Sequence, residues 1–220
     1  MSDQLHCDAI LFDLDGVLVD SGSVVERTWH RWAALRGVAD LTLVQRAHGR
    51  RSIETVREVA PHLDAEEEVG WLAAAELADF DGVRALPGAA QAIAVLRTGE
   101  WAVVTSGGNE LARRRLAYAK LPIPTVLVAA EDVSVGKPAP DGYRLAAERL
   151  GLDPSRCTVI EDTPAGIQSG LRARARVVAL STTFPKPALA GADVVASSLA
   201  DMDVRRSRSG LLLHVSRGVT

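Results

Sequence analysis

The stretch AILFDLDGVLVDS, residues 9–21, is the part of the sequence that says most about the fold. Its apolar run stops at Asp13 and Asp15, and Gly16 follows at once. A short apolar run that ends at a turn residue is typical of a buried strand, so both aspartates should emerge at its carboxyl end. Side chains two residues apart lie on one face of a strand, where unpaired carboxylates would repel by several kcal/mol. The pattern therefore favours a hard cation such as Mg²⁺ between them, the alternative being two loop acids that cap the next helix.

The composition is that of a globular protein with a substantial core. Of the 220 residues, 47% are apolar, and the net charge of -3 gives no broad basic face for nucleic acid. The cysteines Cys7 and Cys157 lack metal-type spacing, which predicts reduced thiols and a cytoplasmic location. No stretch reaches the roughly 18 uncharged apolar residues of a membrane span, so no membrane partner is expected.

The periodicity of the apolar residues changes along the chain. Residues 21–85 show helical spacing, whereas strand and helix alternate from residue 86 onward. Such alternation predicts an α/β fold in which a Rossmann-like parallel sheet forms the core and an α-helical cap is inserted. The core is predicted at 1–19 and 86–220, and the cap at 20–85. The predicted elements after the cap are strands at 101–105, 125–129, 157–161 and 177–180, helices at 88–97, 109–119, 141–150 and 164–172, edge strands at 193–196 and 210–215, and a solvated basic run at 204–209.

Polar residues follow three of the later strands or their loops. Thr105, Ser106 and Gly107 precede a helix that begins at Asn109, an arrangement that suits a phosphate group, although a plain capping turn fits equally well. Lys137 is one of three lysines and stands between a glycine and two prolines, where a surface turn is the ordinary explanation. The strand at 157–161 ends in Glu161 and Asp162. Helix capping would account for Asp162 but not for Glu161, since buried carboxylates are costly.

Taken in order, Asp13 and Asp15, Thr105, Lys137, and Glu161 with Asp162 resemble the four motifs of the haloacid dehalogenase-like superfamily. The resemblance extends over nearly the whole chain, and the helices between the first two motifs resemble the α-helical cap subclass. Four shorter segments are most similar to bacterial sugar phosphatases and yeast glycerol-phosphate phosphatases: 48–51 (HGRR), 101–107 (WAVVTSG), 161–166 (EDTPAG) and 182–184 (TTF).

The resemblance implies a Mg²⁺-dependent phosphatase for small sugar or polyol phosphates. Asp13 would be the nucleophile that becomes a transient aspartyl phosphate, and Asp15 would protonate the leaving alkoxide and later deprotonate water. The other implied roles are phosphoryl contacts from Thr105, Ser106, Gly107 and Asn109, charge neutralisation by Lys137, and metal ligation by Asp13, the Asp15 carbonyl, Asp162 and, directly or through other ligands, Glu161. A carboxylate needs no activating base, but its attack on a phosphate dianion requires neutralised charge.

The cap is expected to close over the site and to recognise the rest of the substrate. His48, Arg50 and Arg51 are the candidates for substrate contacts, although such residues are as often solvated. A small phosphate ester is the expected partner, and the chain is expected to be a monomer, with a dimer as the alternative.

Related activities were weighed against the same residues. A β-phosphoglucomutase-like isomerase shares all four motifs, but the cap has no lysine, and Val25 stands where the mutases have a histidine. The missing cap lysine also argues against a phosphonate hydrolase, and the presence of Asp15 argues against a haloacid dehalogenase. A non-catalytic phosphosugar-binding protein is a different class of function, which the complete motif set disfavours.

Arg174 departs from the family pattern. Relatives usually have a glycine after the last motif helix, so Arg174 should have a left-handed backbone at a cost of roughly 1 kcal/mol.

Overall fold

The computed structural model describes residues 2–39, 42, 47–207 and 210–216. The strands are β1 (Ser2–Cys7), β2 (Ala9–Phe12), β3 (Val19–Asp20), β4 (Arg84–Ala85), β5 (Trp101–Val104), β6 (Leu127–Val128), β7 (Cys157–Glu161), β8 (Arg176–Leu180), β9 (Val194–Ala196), β10 (Met202–Ser207) and β11 (Gly210–Ser216). The α-helices are α1 (Gly22–Arg36), α2 (Ser52–Val59), α3 (Ala65–Leu77), α4 (Ala89–Ala94), α5 (Asn109–Tyr118), α6 (Asp141–Arg149) and α7 (Pro164–Arg172). Among the described residues, no helix has the length and apolar character needed to cross a membrane.

A six-stranded parallel sheet forms the core, in the order β6-β5-β2-β7-β8-β9. The strand β2 lies in the interior and alternates its side chains between two apolar layers. Ile10 and Phe12 pack on the side of α4 and α5, whereas Ala9 and Leu11 pack on the side of α6 and α7. Helices on both faces of a parallel sheet confirm the predicted α/β fold. Because every strand of this sheet is parallel, the strand ends that carry the motifs all meet at one edge.

The helices predicted for residues 21–85 lie between β3 and β4. These short strands pair antiparallel, with Val19 opposite Ala85. The inserted helices have an apolar cluster of their own, which includes Trp29, Trp32 and Leu72. We propose that the β3-β4 ribbon is where the cap joins the core, since both expected boundaries fall at it.

A three-stranded antiparallel sheet, β1-β11-β10, was only partly predicted. Of the solvated run predicted at 204–209, residues 205–207 are exposed as expected, although residues 204–207 belong to β10, and residues 208–209 lie outside the described residues. Val204 is buried, while its neighbours Arg205 and Arg206 are exposed. Arg206 also pairs with Glu100, with Nη2 to Oε1 at 2.7 Å. The sequence did not indicate this strand, because Val204 is the only buried residue of β10 and no apolar alternation is visible.

The structure confirms the left-handed backbone at Arg174, where φ is 69°. This residue follows α7 after Ala173, and its side chain is exposed.

Arg174→Gly should therefore stabilise the protein by about 0.5–1 kcal/mol, because glycine avoids the Cβ clash of this conformation at some cost in unfolded-state entropy. For a chain of this length we expect the melting temperature to rise by roughly 1–4 °C in a calorimetric scan. Arg174→Ala is the matched control, since it removes the side chain but keeps the strain. A gain of the same size in the alanine variant would contradict the prediction.

Candidate active site

Asp13 lies immediately after β2, where the neighbouring strands hold its backbone. Its amide donates to the carbonyl of Ile160 at 2.9 Å, which continues the pairing of β2 with β7. The side chain is buried and accepts a hydrogen bond from the Lys137 ammonium. Burial raises the pKa of Asp13 to about 8, with Lys137 opposing the shift and Glu161 adding to it. The structure thus places a buried carboxylate against a buried cation at the edge of the sheet.

The Lys137 ammonium contacts a second carboxylate and an aromatic ring in addition to Asp13. Its Nζ lies 2.6 Å from Oε1 of Glu161 and 5.3 Å from the centre of the Tyr143 ring. Burial alone would lower the pKa of Lys137, but the carboxylates of Asp13 and Glu161 raise it above its ordinary value. The lysine is therefore a fixed positive charge.

Both carboxylate oxygens of Glu161 are taken up by protein donors. Oε1 accepts from Lys137 and from the Tyr143 hydroxyl at 2.9 Å. Oε2 accepts from the amides of Asp162 (2.9 Å) and Thr163 (3.1 Å) and from the Thr163 hydroxyl (3.0 Å). Burial by itself would raise the pKa of Glu161, but Lys137 lowers it. A side chain at Gly166 would put Cβ 1.7 Å from Oε1 of Glu161, so the approach of α7 requires glycine there.

Asp162 differs from Glu161, because its Oδ1 is buried without a hydrogen-bond partner among the described residues. Burial, followed by the nearby charges of Glu161 and Asp13, raises the pKa of Asp162 well above its usual range. Oxygens of Asp13, Glu161 and Asp162 lie within 4.8 Å of one another. An all-oxygen donor set with an unpartnered carboxylate oxygen fits Mg²⁺, which would also offset the negative charge that Lys137 leaves uncompensated.

The loop between β5 and α5 lines the cavity that holds Asp13. Thr105 is buried after β5, and its Oγ1 accepts from the amide of Gly107 at 3.0 Å. Ser106 and Gly107 line the same cavity as Asp13 and Asp162, as the phosphate prediction requires. The Ser106 hydroxyl also donates to the Gly49 carbonyl of the cap at 3.0 Å, so this loop contacts both parts of the chain.

Asn109, by contrast, does not line the cavity. Its side chain accepts from Nε of Arg113 at 2.8 Å, and its amide donates to Glu131 at 3.0 Å. The substrate contact of Asn109 stays a prediction, and the observed contacts are those of a residue in the first turn of a helix.

Asp15 lines the same cavity as Asp13 and belongs to a hydrogen-bond network that the sequence did not reveal. Its Oδ1 accepts from the Ser21 hydroxyl at 2.6 Å and from Nη1 of Arg115 at 2.9 Å. Nη2 of Arg115 in turn donates to Glu76 of α3 at 2.7 Å. In the sequence Arg115 ends a run of three arginines. The only signal was its helical phase, which puts it on the apolar face of α5 with Leu111 and Ala112.

Among the cap candidates, His48 and Arg50 line the cavity. Burial lowers the pKa of His48, while Asp15 and Glu26 oppose the shift, so the imidazole is neutral at pH 7. The His48 ring meets Phe184 edge to face at 6.5 Å. Arg50 pairs with Glu58 at 2.6 Å.

Arg51 is not among the residues that line the cavity of Asp13, and its predicted substrate contact stays a prediction. Its guanidinium donates to the carbonyls of Val133 (2.8 Å) and Ser134 (2.7 Å), and Nε donates to Glu54 at 2.9 Å. Since Val133 and Ser134 belong to the loop that leads to Lys137, Arg51 joins the cap to that loop.

Arg51→Ala should therefore weaken cap closure for every substrate. We expect similar losses of kcat/KM, on the order of tenfold, for a sugar phosphate and for 4-nitrophenyl phosphate, because charge-assisted hydrogen bonds contribute about 1.5–3 kcal/mol. Steady-state kinetics with both substrates checks this, with Arg57→Ala, an exposed arginine of α2, as control. A loss confined to the sugar phosphate would instead support substrate recognition by Arg51.

Known proteins are similar to this chain over most of their length. A family model of haloacid dehalogenase-like hydrolases matches residues 7–174. Hexitol phosphatase A of Escherichia coli (strain K12) is 40% identical over 211 residues, which cover 94% of this chain and 98% of that protein. 2-Deoxyglucose-6-phosphate phosphatase 2 of Saccharomyces cerevisiae (strain ATCC 204508 / S288c) is 31% identical over 242 residues, covering 99% and 98%.

A solved structure gives the same result at the level of the fold. The crystal structure of a hydrolase from Pseudomonas syringae superposes with a TM-score of 0.80 at 27% identity and covers 88% of this chain and 95% of that one. The family match spans the strand ends that carry Asp13, Lys137 and Asp162. This chain belongs to the haloacid dehalogenase-like hydrolase family.

Proposed function

We propose that the protein is a Mg²⁺-dependent phosphatase that hydrolyses small sugar or polyol phosphates through an aspartyl phosphate on Asp13. The observation that carries the proposal is the buried contact of Asp13 with Lys137 at the edge of the sheet, with Asp15 two residues further on. A carboxylate held against a cation in a cavity suits nucleophilic attack on an anionic phosphorus centre. The relatives named above are phosphatases, which supports the same reaction.

The side chains divide the chemistry between them. Asp13 attacks phosphorus and breaks the bond to the leaving oxygen, while Lys137 balances charge on the phosphoryl oxygens. The Thr105 hydroxyl and the amides of Ser106 and Gly107 hold those oxygens. Bound Mg²⁺, held by Asp13, Asp162 and the Asp15 carbonyl, would supply further charge neutralisation.

Asp15 is the proton carrier in this scheme. Its Oδ1 accepts from Ser21 and Arg115, and no hydrogen bond from the described residues reaches Oδ2. The proton that passes to the leaving alkoxide therefore resides on Oδ2. In the second half of the reaction the same oxygen removes a proton from the water that attacks the aspartyl phosphate.

Glu161 has a supporting role in the proposal. Because both of its oxygens already accept hydrogen bonds from the protein, we assign it to orienting Lys137 and leave direct metal ligation to Asp13 and Asp162.

Mg²⁺ should stabilise the folded protein, because it binds the folded state alone. At about 100 times its Kd the expected gain is about 2.7 kcal/mol, visible as a higher melting temperature. Asp162→Ala should abolish that rise, whereas Glu161→Gln should keep most of it and still reduce turnover. Calorimetric scans of the three proteins with Mg²⁺ and with excess chelator measure the difference. A Glu161→Gln variant that no longer responds to Mg²⁺ would make Glu161 a direct ligand.

A second cavity beside Asp15 provides room for the rest of the substrate. Hydroxyl and carboxylate groups line it, and no lysine or arginine is among the described residues at its wall: Asp15, Asp20, Ser21, Glu26, His48, Thr182 and Thr183 supply the polar groups. Such a wall can bond to the hydroxyls of a sugar or polyol, but it would repel a second phosphate. We therefore propose neutral, hydroxylated leaving groups.

The test is a phosphate-release screen across hexitol, sugar, glycerol and nucleotide monophosphates and sugar bisphosphates. We expect monophosphates of polyols and sugars to be hydrolysed and bisphosphates to be poor substrates. Conversion of glucose 1-phosphate to glucose 6-phosphate faster than phosphate release would replace this proposal with the mutase alternative. Full activity in excess chelator would contradict the metal requirement.

A further inference from the structure

We propose that Arg115 is a positioning residue that links the cap to the proton-carrying carboxyl of Asp15. The inference rests on the proposed function, because it assigns a way of holding Asp15 for proton transfer. Arg115 is on α5 in the core, Glu76 is on α3 in the cap, and Asp15 follows β2. One guanidinium thus connects three separate elements of the chain.

The bridge that Arg115 makes between Asp15 and Glu76 is buried, and both of its hydrogen bonds are short. The Arg115 side chain is 4% exposed, and Nη1 lies 2.9 Å from Asp15 Oδ1 while Nη2 lies 2.7 Å from Oε2 of Glu76. Arginine suits this place because its planar fork can donate to two carboxylates at once, whereas a lysine ammonium is a single point charge. Within the part of the chain that the structure describes, the neighbouring Arg114 makes only an exposed pair with Glu110.

Because Arg115 is buried, its ion pairs with Asp15 and with Glu76 depend on each other. Burial raises the pKa of Glu76, and Arg115 opposes that shift. The guanidinium of an arginine is charged in proteins, so both carboxylates face a cation. If Glu76 moved away with the cap, Arg115 would lose one of its two carboxylate partners in a poorly solvated place.

The bond to Asp15 decides which oxygen of that carboxyl can carry a proton. Arg115 and Ser21 both donate to Oδ1, which leaves Oδ2 without a donor among the described residues. Without Arg115, Ser21 is the one donor to this carboxyl that remains among the described residues, and the carboxyl can rotate out of line. Because Glu76 holds the other half of the guanidinium, Asp15 is fully held only while α3 lies over the core. Cap closure therefore both encloses the substrate and sets the proton donor.

The experiment compares leaving groups that differ in their need for a proton. We would measure the first-turnover rate of leaving-group release by rapid quench for sorbitol 6-phosphate, whose alkoxide needs the proton, and for 4-nitrophenyl phosphate, which does not. The variants are Arg115→Met, Arg115→Lys and Glu76→Gln, with Arg114→Met as matched control. For Arg115→Met and Arg115→Lys we expect the sorbitol 6-phosphate rate to fall roughly 10- to 100-fold and the nitrophenyl rate to change less than about threefold, with little change in KM. Glu76→Gln should show a smaller selective loss, and the control none.

Two further comparisons separate positioning from folding. Melting temperatures identify any variant that fails to fold. If Arg115→Met fails to fold, the rates of Arg115→Lys and Glu76→Gln test the positioning role. The double variant Glu76→Gln/Arg115→Lys should lose no more than Arg115→Lys alone, since both changes break one link.

Equal losses for the two substrates, or additive losses in the double variant, would overturn the inference while leaving the proposed phosphatase activity intact. Wild-type protein that releases neither leaving group would instead contradict the proposed function, and the inference with it.

Discussion

Asp13→Asn should abolish turnover while the protein still folds. The amide has nearly the same shape as the carboxylate but is not a nucleophile, so we expect kcat to fall by roughly 10⁴-fold or more. Folding should not suffer, because burial raises the pKa of Asp13 to about 8 and the like charge of Glu161 adds to the shift. Without metal, the melting temperature of the variant should equal or exceed that of the wild type.

Phosphate release and thermal unfolding of the same preparation measure the two effects. Asp203→Asn is the matched control, since Asp203 is an exposed aspartate on β10 that pairs with Arg205. Rapid denaturation during turnover should also trap phosphate on the wild-type chain and none on the Asp13→Asn chain. Near-normal activity of Asp13→Asn, or phosphate trapped on it, would contradict the assignment of the nucleophile.

Asp15→Asn should be nearly as damaging for ordinary substrates and much less so for activated ones. A positioned proton donor contributes roughly 10²–10⁴-fold, so alkyl phosphates should lose about that factor. A nitrophenolate leaves without a proton, and its first turnover should therefore be the least affected. The later hydrolysis of the aspartyl phosphate still needs a base and should become slow.

The expected signature is a burst of nitrophenol equal to the enzyme concentration, followed by slow steady release. Stopped-flow absorbance records it, and sorbitol 6-phosphate provides the comparison by rapid quench. Equal losses in the first turnover of both substrates would mean that Asp15 acts on something other than the leaving group.

Local sequence patterns determined the parts of the site that lie on strands of the parallel sheet. The apolar run 9–12, followed by Asp13 and Gly16, fits a buried strand of a parallel sheet better than a helix or a surface loop. Once the alternation of strand and helix implied a parallel sheet, the carboxyl ends of its strands had to meet at one edge. Asp13 was expected there on this ground, whereas Lys137 was expected there only from the resemblance to the haloacid dehalogenase-like superfamily; the two are 124 residues apart and in contact.

The cap contacts could not be obtained in the same way. His48, Arg50 and Arg51 are close in sequence, yet only the first two line the cavity of Asp13, while Arg51 bonds to the loop before Lys137. The sheet β1-β11-β10 was also incomplete in the prediction, because β1 and β11 pair across almost the whole length of the chain.

The sequence by itself therefore determined the sheet, the order of the motifs and the side chains at the strand ends. Only the tertiary structure decided how the oxygens of Glu161 are occupied and that Arg115 joins Asp15 to Glu76. Arg115 is 100 residues from Asp15 and 39 from Glu76, and nothing in its own helix distinguishes its charge from those of its neighbours. Strands and helices follow from the periodicity of nearby residues, whereas a buried ion pair depends on how separate elements pack together.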